Sequence, residues 1–180
     1  MKKSAPIKTL FVDIGGVLLT DGWDHHARRR AAKHFKLDWA KMEERHGLNF
    51  ETQEEDKTTF NEYLDRVVFC QKRPFTPAEF RHFMFAQSKP FARMIELIRD
   101  LKAKYGLKII VVSNESRELN AHRINKFKLA EFVDAFISSC FVRLRKPDAD
   151  IFKLALDIAQ TPSRQIVYIE RCQLGCRARW

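Results

Sequence analysis

The sequence predicts an α/β fold: a Rossmann-like parallel sheet core into which an all-helical block is inserted. Three observations point there. Short apolar runs that end in polar residues recur around 7–13, 107–114, 135–138 and 165–170. Amphipathic helical stretches separate the last three runs, and residues 21–88 between the first and second show helical periodicity throughout. Strands alternating with helices of this length imply right-handed crossovers and a parallel sheet covered on both faces. The 180 residues suit one core with a modest insertion, with core segments 1–20 and 89–180 and a helical block at 21–88.

The first strand is the run Ile7-Lys8-Thr9-Leu10-Phe11-Val12, which drives into Asp13 and is followed by Gly15-Gly16. An apolar run bounded in this way reads as a buried central strand. Open α/β sheets bind ligands at the carboxyl ends of their strands, and glycines there let the backbone turn sharply against a bound group. Asp13 is either placed for chemistry or caps a turn. Thr20-Asp21-Gly22 reads as a hinge.

Within the block, Trp23–Phe35 and Trp39–His46 read as helices, the second stopped by Gly47. Thr59 with Glu62, and Thr76-Pro77 with Glu79, are capping boxes that open two more helices. The apolar stripes Tyr63-Leu64-Val67-Val68 and Phe80-Phe83-Met84 read as helix-packing core. Ser88-Lys89-Pro90 is the second hinge. Phe91–Tyr105 is amphipathic and ends at Gly106; Leu107–Val112 is a buried strand running into Ser113-Asn114. A helix over Arg117–Phe127, a strand over Ala135–Ser138, a helix from Asp148 to Gln160 after Lys146-Pro147, and a strand over Gln165–Ile169 ending at Glu170 complete the core.

The content of 45% hydrophobic residues, including 15 Phe, is enough for a packed core. No run approaches the ~20 apolar residues of a membrane helix, and the basic start lacks the apolar segment of a signal peptide, so a cytoplasmic protein is expected. The 33 basic and 23 acidic side chains give a formal charge of +10, which suits an anionic partner. The densest basic cluster, Arg28-Arg29-Arg30 with Lys33 and Lys36, reads as a solvated helix face, and a nucleic-acid partner is not expected because no recognition motif accompanies it. Cys70 and Cys140 sit in apolar company and read as small core residues; Cys172 and Cys176 alone do not make a zinc site. His25 and His26 are adjacent and so point apart on a helix, which makes them a poor metal pair. Trp23, His25, His26 and Arg30 read either as crevice-facing or as a solvated helix.

Parallel strands bring Asp13, Ser113-Asn114, Lys146 and Glu170 to one sheet edge. A carboxylate can attack phosphorus or carbon and form a covalent intermediate. A Ser hydroxyl and helix-opening N–H groups can hold phosphate oxygens, and a lysine can neutralise the transferring group. A second carboxylate could share Mg²⁺, a hard cation that takes oxygen ligands.

In order and context these residues resemble the haloacid dehalogenase superfamily. Phe11-Val12-Asp13-Ile14-Gly15-Gly16-Val17-Leu18, Val111-Val112-Ser113-Asn114, Arg145-Lys146-Pro147-Asp148 with Ile151-Phe152, and Val167-Tyr168-Ile169-Glu170 look like its four motifs, over residues 7 to about 170. The resemblance implies hydrolysis of a small phosphorylated metabolite through Asp13 as nucleophile, with Lys146 as the stabilising cation. It implies Ser113, Asn114 and Gly16 as the phosphate-binding set. Mg²⁺ would be held by Asp13, the Gly15 backbone carbonyl and Glu170, beneath an α-helical cap formed by residues 21–88. Carbon–halogen hydrolysis and a degenerate binding module are the alternatives.

Two departures from the family pattern stand out. Gly15 occupies the position where phosphatases of this family carry an acid, and a dehalogenase would carry a bulkier residue there. Glu170 is followed by Arg171 instead of a second acid, and residues 171–180 hold three Arg and two Cys with no strand or helix pattern. That composition reads as a truncated or frame-shifted end, with weakened metal binding and reduced activity expected, and with the edge of the fourth strand left unpaired.

Overall fold

The computed structural model describes residues 5–171. The tail with Cys172 and Cys176 lies outside the described residues. Four parallel strands form one sheet in the order β3-β2-β1-β4, with β1 Thr9–Val12, β2 Lys108–Ser113, β3 Ala135–Ser138 and β4 Ile166–Ile169. The chain builds outward from β1 through β2 to β3, then crosses back to place β4 on the far side of β1. This leaves the Asp13 strand in the middle of the sheet. Among the described residues β4 is an edge strand, and Val167 on it is exposed.

The period of two decides where each strand residue goes. Leu10, Val12, Ile109 and Val111 join Ile98 of α5 (Ala92–Tyr105) in one core cluster. Phe11, Ile110 and Val112 point to the opposite face and pack on Ile151, Phe152 and Ala155 of α8 (Ala149–Ala159). Helix α6 (Arg117–Lys126) links β2 to β3. The short α7 (Ser139–Val142) follows β3 and has no counterpart in the sequence expectations.

Between β1 and α5 lie four helices: α1 His25–His34, α2 Trp39–Glu54, α3 Phe60–Val67 and α4 Pro77–Ala86. Both expected capping boxes form, at Thr59/Glu62 and Thr76/Glu79. Helix α3 buries Phe60, Tyr63, Leu64 and Val67, one face at helical spacing. Together with Trp23, Phe80 and Met84 these residues form a cluster separate from both sheet clusters.

Three expectations need correction. Gly47 does not stop α2, which continues to Glu54. A glycine ends a helix when it turns left-handed, as Gly106 does at φ 63°; Gly47 is not among the positive-φ glycines, and within a helix it costs only ~1 kcal/mol. Arg28 is not solvated: it is buried against Glu43, whereas Arg29 and Arg30 are exposed. Cys70 is exposed, with Arg45 Nη1 2.7 Å from its sulfur, and of the two read as core cysteines only Cys140 is buried.

Candidate active site

Asp13 follows β1 directly, and its N–H donates to the Ile169 carbonyl of β4 at 3.0 Å, so its backbone is fixed by the strand beside it. Its carboxylate is held on both oxygens. Ser113 Oγ, at the end of β2, donates to Oδ1 at 2.7 Å, and Lys146 Nζ sits 3.0 Å from Oδ2. Strands β1, β2 and β4 and the Lys146 loop thus bring together a carboxylate, a hydroxyl and an ammonium.

Lys146 is itself tightly placed. Its ammonium donates to Glu170 at 2.6 Å and to the Tyr168 hydroxyl at 3.0 Å. Burial alone would lower its proton affinity, but the attraction of Asp13 and the bonds to Tyr168 and Glu170 outweigh that and hold it above the usual lysine range. Asn114 clamps the Lys146 backbone in both directions: Nδ2 donates to its carbonyl at 2.9 Å, and its N–H donates to Oδ1 at 2.8 Å. The Asn114 side chain is therefore engaged with the lysine loop.

Gly15 and Gly16 form the turn after Asp13. Gly16 has φ 75°, and its N–H donates to the Leu19 carbonyl at 2.7 Å. The Arg171 side chain lies over Gly16, close enough that a Cβ there would meet its Cδ at 2.7 Å. Arg171 Nη1 reaches Asp21 Oδ2 at 2.6 Å, and Asp21 Oδ1 lies 3.3 Å from where a Cβ of residue 15 would be. Burial raises the Asp21 pKa, partly offset by Arg171.

A cavity of about 1680 Å³ opens over these groups, lined by Asp13, Gly15, Ser113, Asn114, Lys146 and Glu170 from the sheet edge. Its opposite wall comes from the helical block, with Trp23, His25, His46, Phe50 and Gln53. Gly16, His26 and Arg30 are not among the lining residues. His46 is kept neutral, its pKa pushed down to about 4 by burial and then by Arg28. Trp23 Nε1 donates to the Tyr63 hydroxyl at 2.8 Å, and the same hydroxyl shares a hydrogen bond with His46 Nδ1, also 2.8 Å away.

Sequence reasoning missed Glu115, Arg123 and Tyr168. Glu115 follows Ser113-Asn114 immediately, and Ser113 Oγ lies 3.3 Å from its carboxylate. Burial pushes its pKa up to about 7, against the pull of Arg123. The signal for Glu115 was its place just past a strand end; for Arg123, in mid-helix, there was none.

The donor set suits a small hard cation in kind. Asp13 and Glu170 both pair with the Lys146 ammonium, and Mg²⁺ commonly takes one or two carboxylates with substrate oxygens and water. Among the described residues, no group of three or more His, Cys, Asp or Glu could form a fuller cage, and Arg171, paired with Asp21, brings positive charge over the neighbouring Gly16.

No curated protein matches the chain. Among solved structures, a HAD family enzyme from Bacteroides thetaiotaomicron superposes with a TM-score of 0.79 at 20% identity, covering 96% of this chain and 88% of that one. The wild-type form of that enzyme in complex with magnesium and inorganic phosphate gives 0.74 at 20%, covering 90% and 83%. The L-2-haloacid dehalogenase of Xanthobacter autotrophicus with covalently bound chloropropionic acid gives 0.61 at 13%, covering 90% and 69%. These likenesses establish the fold. The sequence model for haloacid dehalogenase-like hydrolases matches residues 7–170, nearly the whole chain, and the chain belongs to that family.

Proposed function

We propose that the protein hydrolyses a small phosphate ester through a covalent aspartyl-phosphate on Asp13. The observation that carries this reading is the double grip on Asp13, with Ser113 at 2.7 Å and Lys146 at 3.0 Å at the floor of the cavity. Lys146 aims the carboxylate, and its charge offsets that of an incoming phosphoryl group. The Asp13 oxygen attacks phosphorus, the ester P–O bond breaks, and the leaving oxygen takes up a proton. Water then cleaves the acyl phosphate, restoring Asp13 and releasing phosphate. The Asn114 backbone N–H is the candidate phosphate donor, joined by Ser113 Oγ once its one proton turns from Asp13 to the incoming oxygen, since the Asn114 side chain serves the lysine loop and the Gly16 N–H is spent on Leu19. Residues 21–88 act as the cap that closes the cavity and contacts the alcohol part of the substrate.

Mg²⁺ would be held by Asp13, the Gly15 carbonyl and Glu170, where it would shield the nucleophile from the charge of the phosphate. Arg171 weakens that site. Gly15 offers no proton to the leaving group, and the nearby Asp21 is tied to Arg171, so turnover should lack the ~10²–10⁴ of a well-placed acid. The Bacteroides complex with magnesium and phosphate supports the phosphate reading by analogy of fold. A panel of phosphorylated metabolites, assayed with Mg²⁺ or EDTA, tests it. Slow, Mg²⁺-stimulated phosphate release that disappears in Asp13→Asn is expected. Halide release from 2-haloacids in EDTA, or phosphate release surviving Asp13→Asn, would overturn it.

A further inference from the structure

The two linkers that join the helical block to the sheet core lie side by side. Thr20 N–H donates to the Lys89 carbonyl at 2.9 Å, Lys89 N–H donates to Thr20 Oγ1 at 3.0 Å, and Phe91 N–H donates to the Leu18 carbonyl at 2.9 Å. Beneath them sits Arg123 of α6, one of the largest fully buried side chains. Its guanidinium reaches both linkers and the site together. Nη2 donates to the carbonyls of Asp21 at 2.7 Å and Thr20 at 3.2 Å, Nε donates to Ser88 Oγ at 3.0 Å, and Nη1 donates to Glu115. Glu115 in turn lies 3.3 Å from Ser113 Oγ, which holds Asp13.

From this juxtaposition we infer that Arg123 and Glu115 are positioning residues, a joint that fixes the seating of the helical block and the aim of the Ser113–Asp13 pair as one unit. The inference deepens the proposed hydrolase and rests on it for its catalytic consequence. A planar fork with five donors can serve four acceptors at once; a lysine ammonium has three donors on a flexible stem and cannot reproduce the pattern. Gly22 shows how closely the arginine is fitted, because a Cβ there would collide with Arg123 Nη2. Loosening the joint should shift the cap wall against Asp13, and a displacement of ~1 Å at a reacting centre can cost ~10²-fold in rate.

The test compares wild type with Arg123→Lys and Glu115→Gln, each confirmed folded by circular dichroism. Two readouts are taken: amide hydrogen exchange at Thr20, Lys89, Phe91 and residue 115, whose N–H donates to Ser139 Oγ at 2.9 Å, and kcat and KM measured separately. Faster exchange at both the linkers and residue 115 in Arg123→Lys is expected, with kcat lowered and KM raised by ~10-fold or more each. In Glu115→Gln, exchange should rise mainly at residue 115 and the loss should fall mainly on kcat. Linker exchange that rises in Arg123→Lys while kcat and KM hold would reduce Arg123 to a structural hinge and overturn the inference, as would unchanged exchange. If wild type releases no phosphate from any ester yet both segments loosen together, the hydrolase reading fails and the joint stands.

Discussion

Two arginine–glutamate pairs line the same cavity and show opposite proton chemistry. In the helical block, Arg28 Nε donates to Glu43 at 2.8 Å and Nη1 to the Trp23 carbonyl at 2.7 Å. In the sheet core, Arg123 holds Glu115 and the Thr20 and Asp21 carbonyls. Arg123 thus bonds the backbone of the first linker and Arg28 that of Trp23 just after it. Glu43 has its pKa lowered, first by the hydrogen bond from Arg28, whereas Glu115 has its pKa raised, first by burial. The Glu43 side chain keeps 31% of its exposure and Glu115 keeps 3%. The same two residue types thus stabilise charge where water still reaches them and strain it where water is gone.

The sharpest way to break this comparison is to remove the cations. Arg123→Met leaves a buried carboxylate and two linker carbonyls without their donor, and should cost ~3–5 kcal/mol in urea denaturation. Arg28→Met leaves a carboxylate that water can reach, and ~1–2 kcal/mol is expected. Equal losses would mean that burial is not what separates the pairs.

Acidity separates them next. The folded Glu43 pKa is depressed, so its contribution is present above the unfolded value of 4.5 and is lost as pH falls through the lower folded value. The folded Glu115 pKa is raised to about 7, so the fold binds its proton more tightly than the unfolded chain does, and stability falls as pH rises between about 4.5 and 7. Glu115→Gln should remove that downward slope, and Glu43→Gln should change the curve only in the more acidic range. His46, held neutral down to about 4, tilts the wild-type curve the other way between 4 and 6.5, so the measurement is the difference between variant and wild type in stability against pH.

A third pair supplies the scale's lower end. Arg99 and Glu131 meet at 2.7 Å with both side chains 48% exposed. Arg99→Ala should change stability by no more than ~1 kcal/mol, and high salt should erase the difference.

The sequence made legible what local rules control. Both capping boxes, the left-handed Gly106 and the strand ends at Asp13, Ser113 and Glu170 lie where spacing and residue type put them. Asp13 and Ser113, 100 residues apart, were paired in advance because parallel strands end along one edge. What stayed hidden depends on tertiary surroundings. Arg28 sits in a run of three arginines, and only its position on α1 decides that it is buried while Arg29 is not. Gly47 has the composition of a stop and the conformation of a helix. Arg123 looks like any arginine in mid-helix, and its role depends on two linkers that pass over it.

The side-by-side run of those linkers bears on how the molecule can be rebuilt. Residues 21–88 enter and leave the sheet core at one doorway, where Thr20 and Lys89 are already bonded to each other. A short turn joining those two positions would close the core without re-threading a strand, and another helical insert could be spliced in at the same place. In any such exchange Arg123, bonded to the Thr20 and Asp21 carbonyls and to Ser88, is the part the replacement must fit.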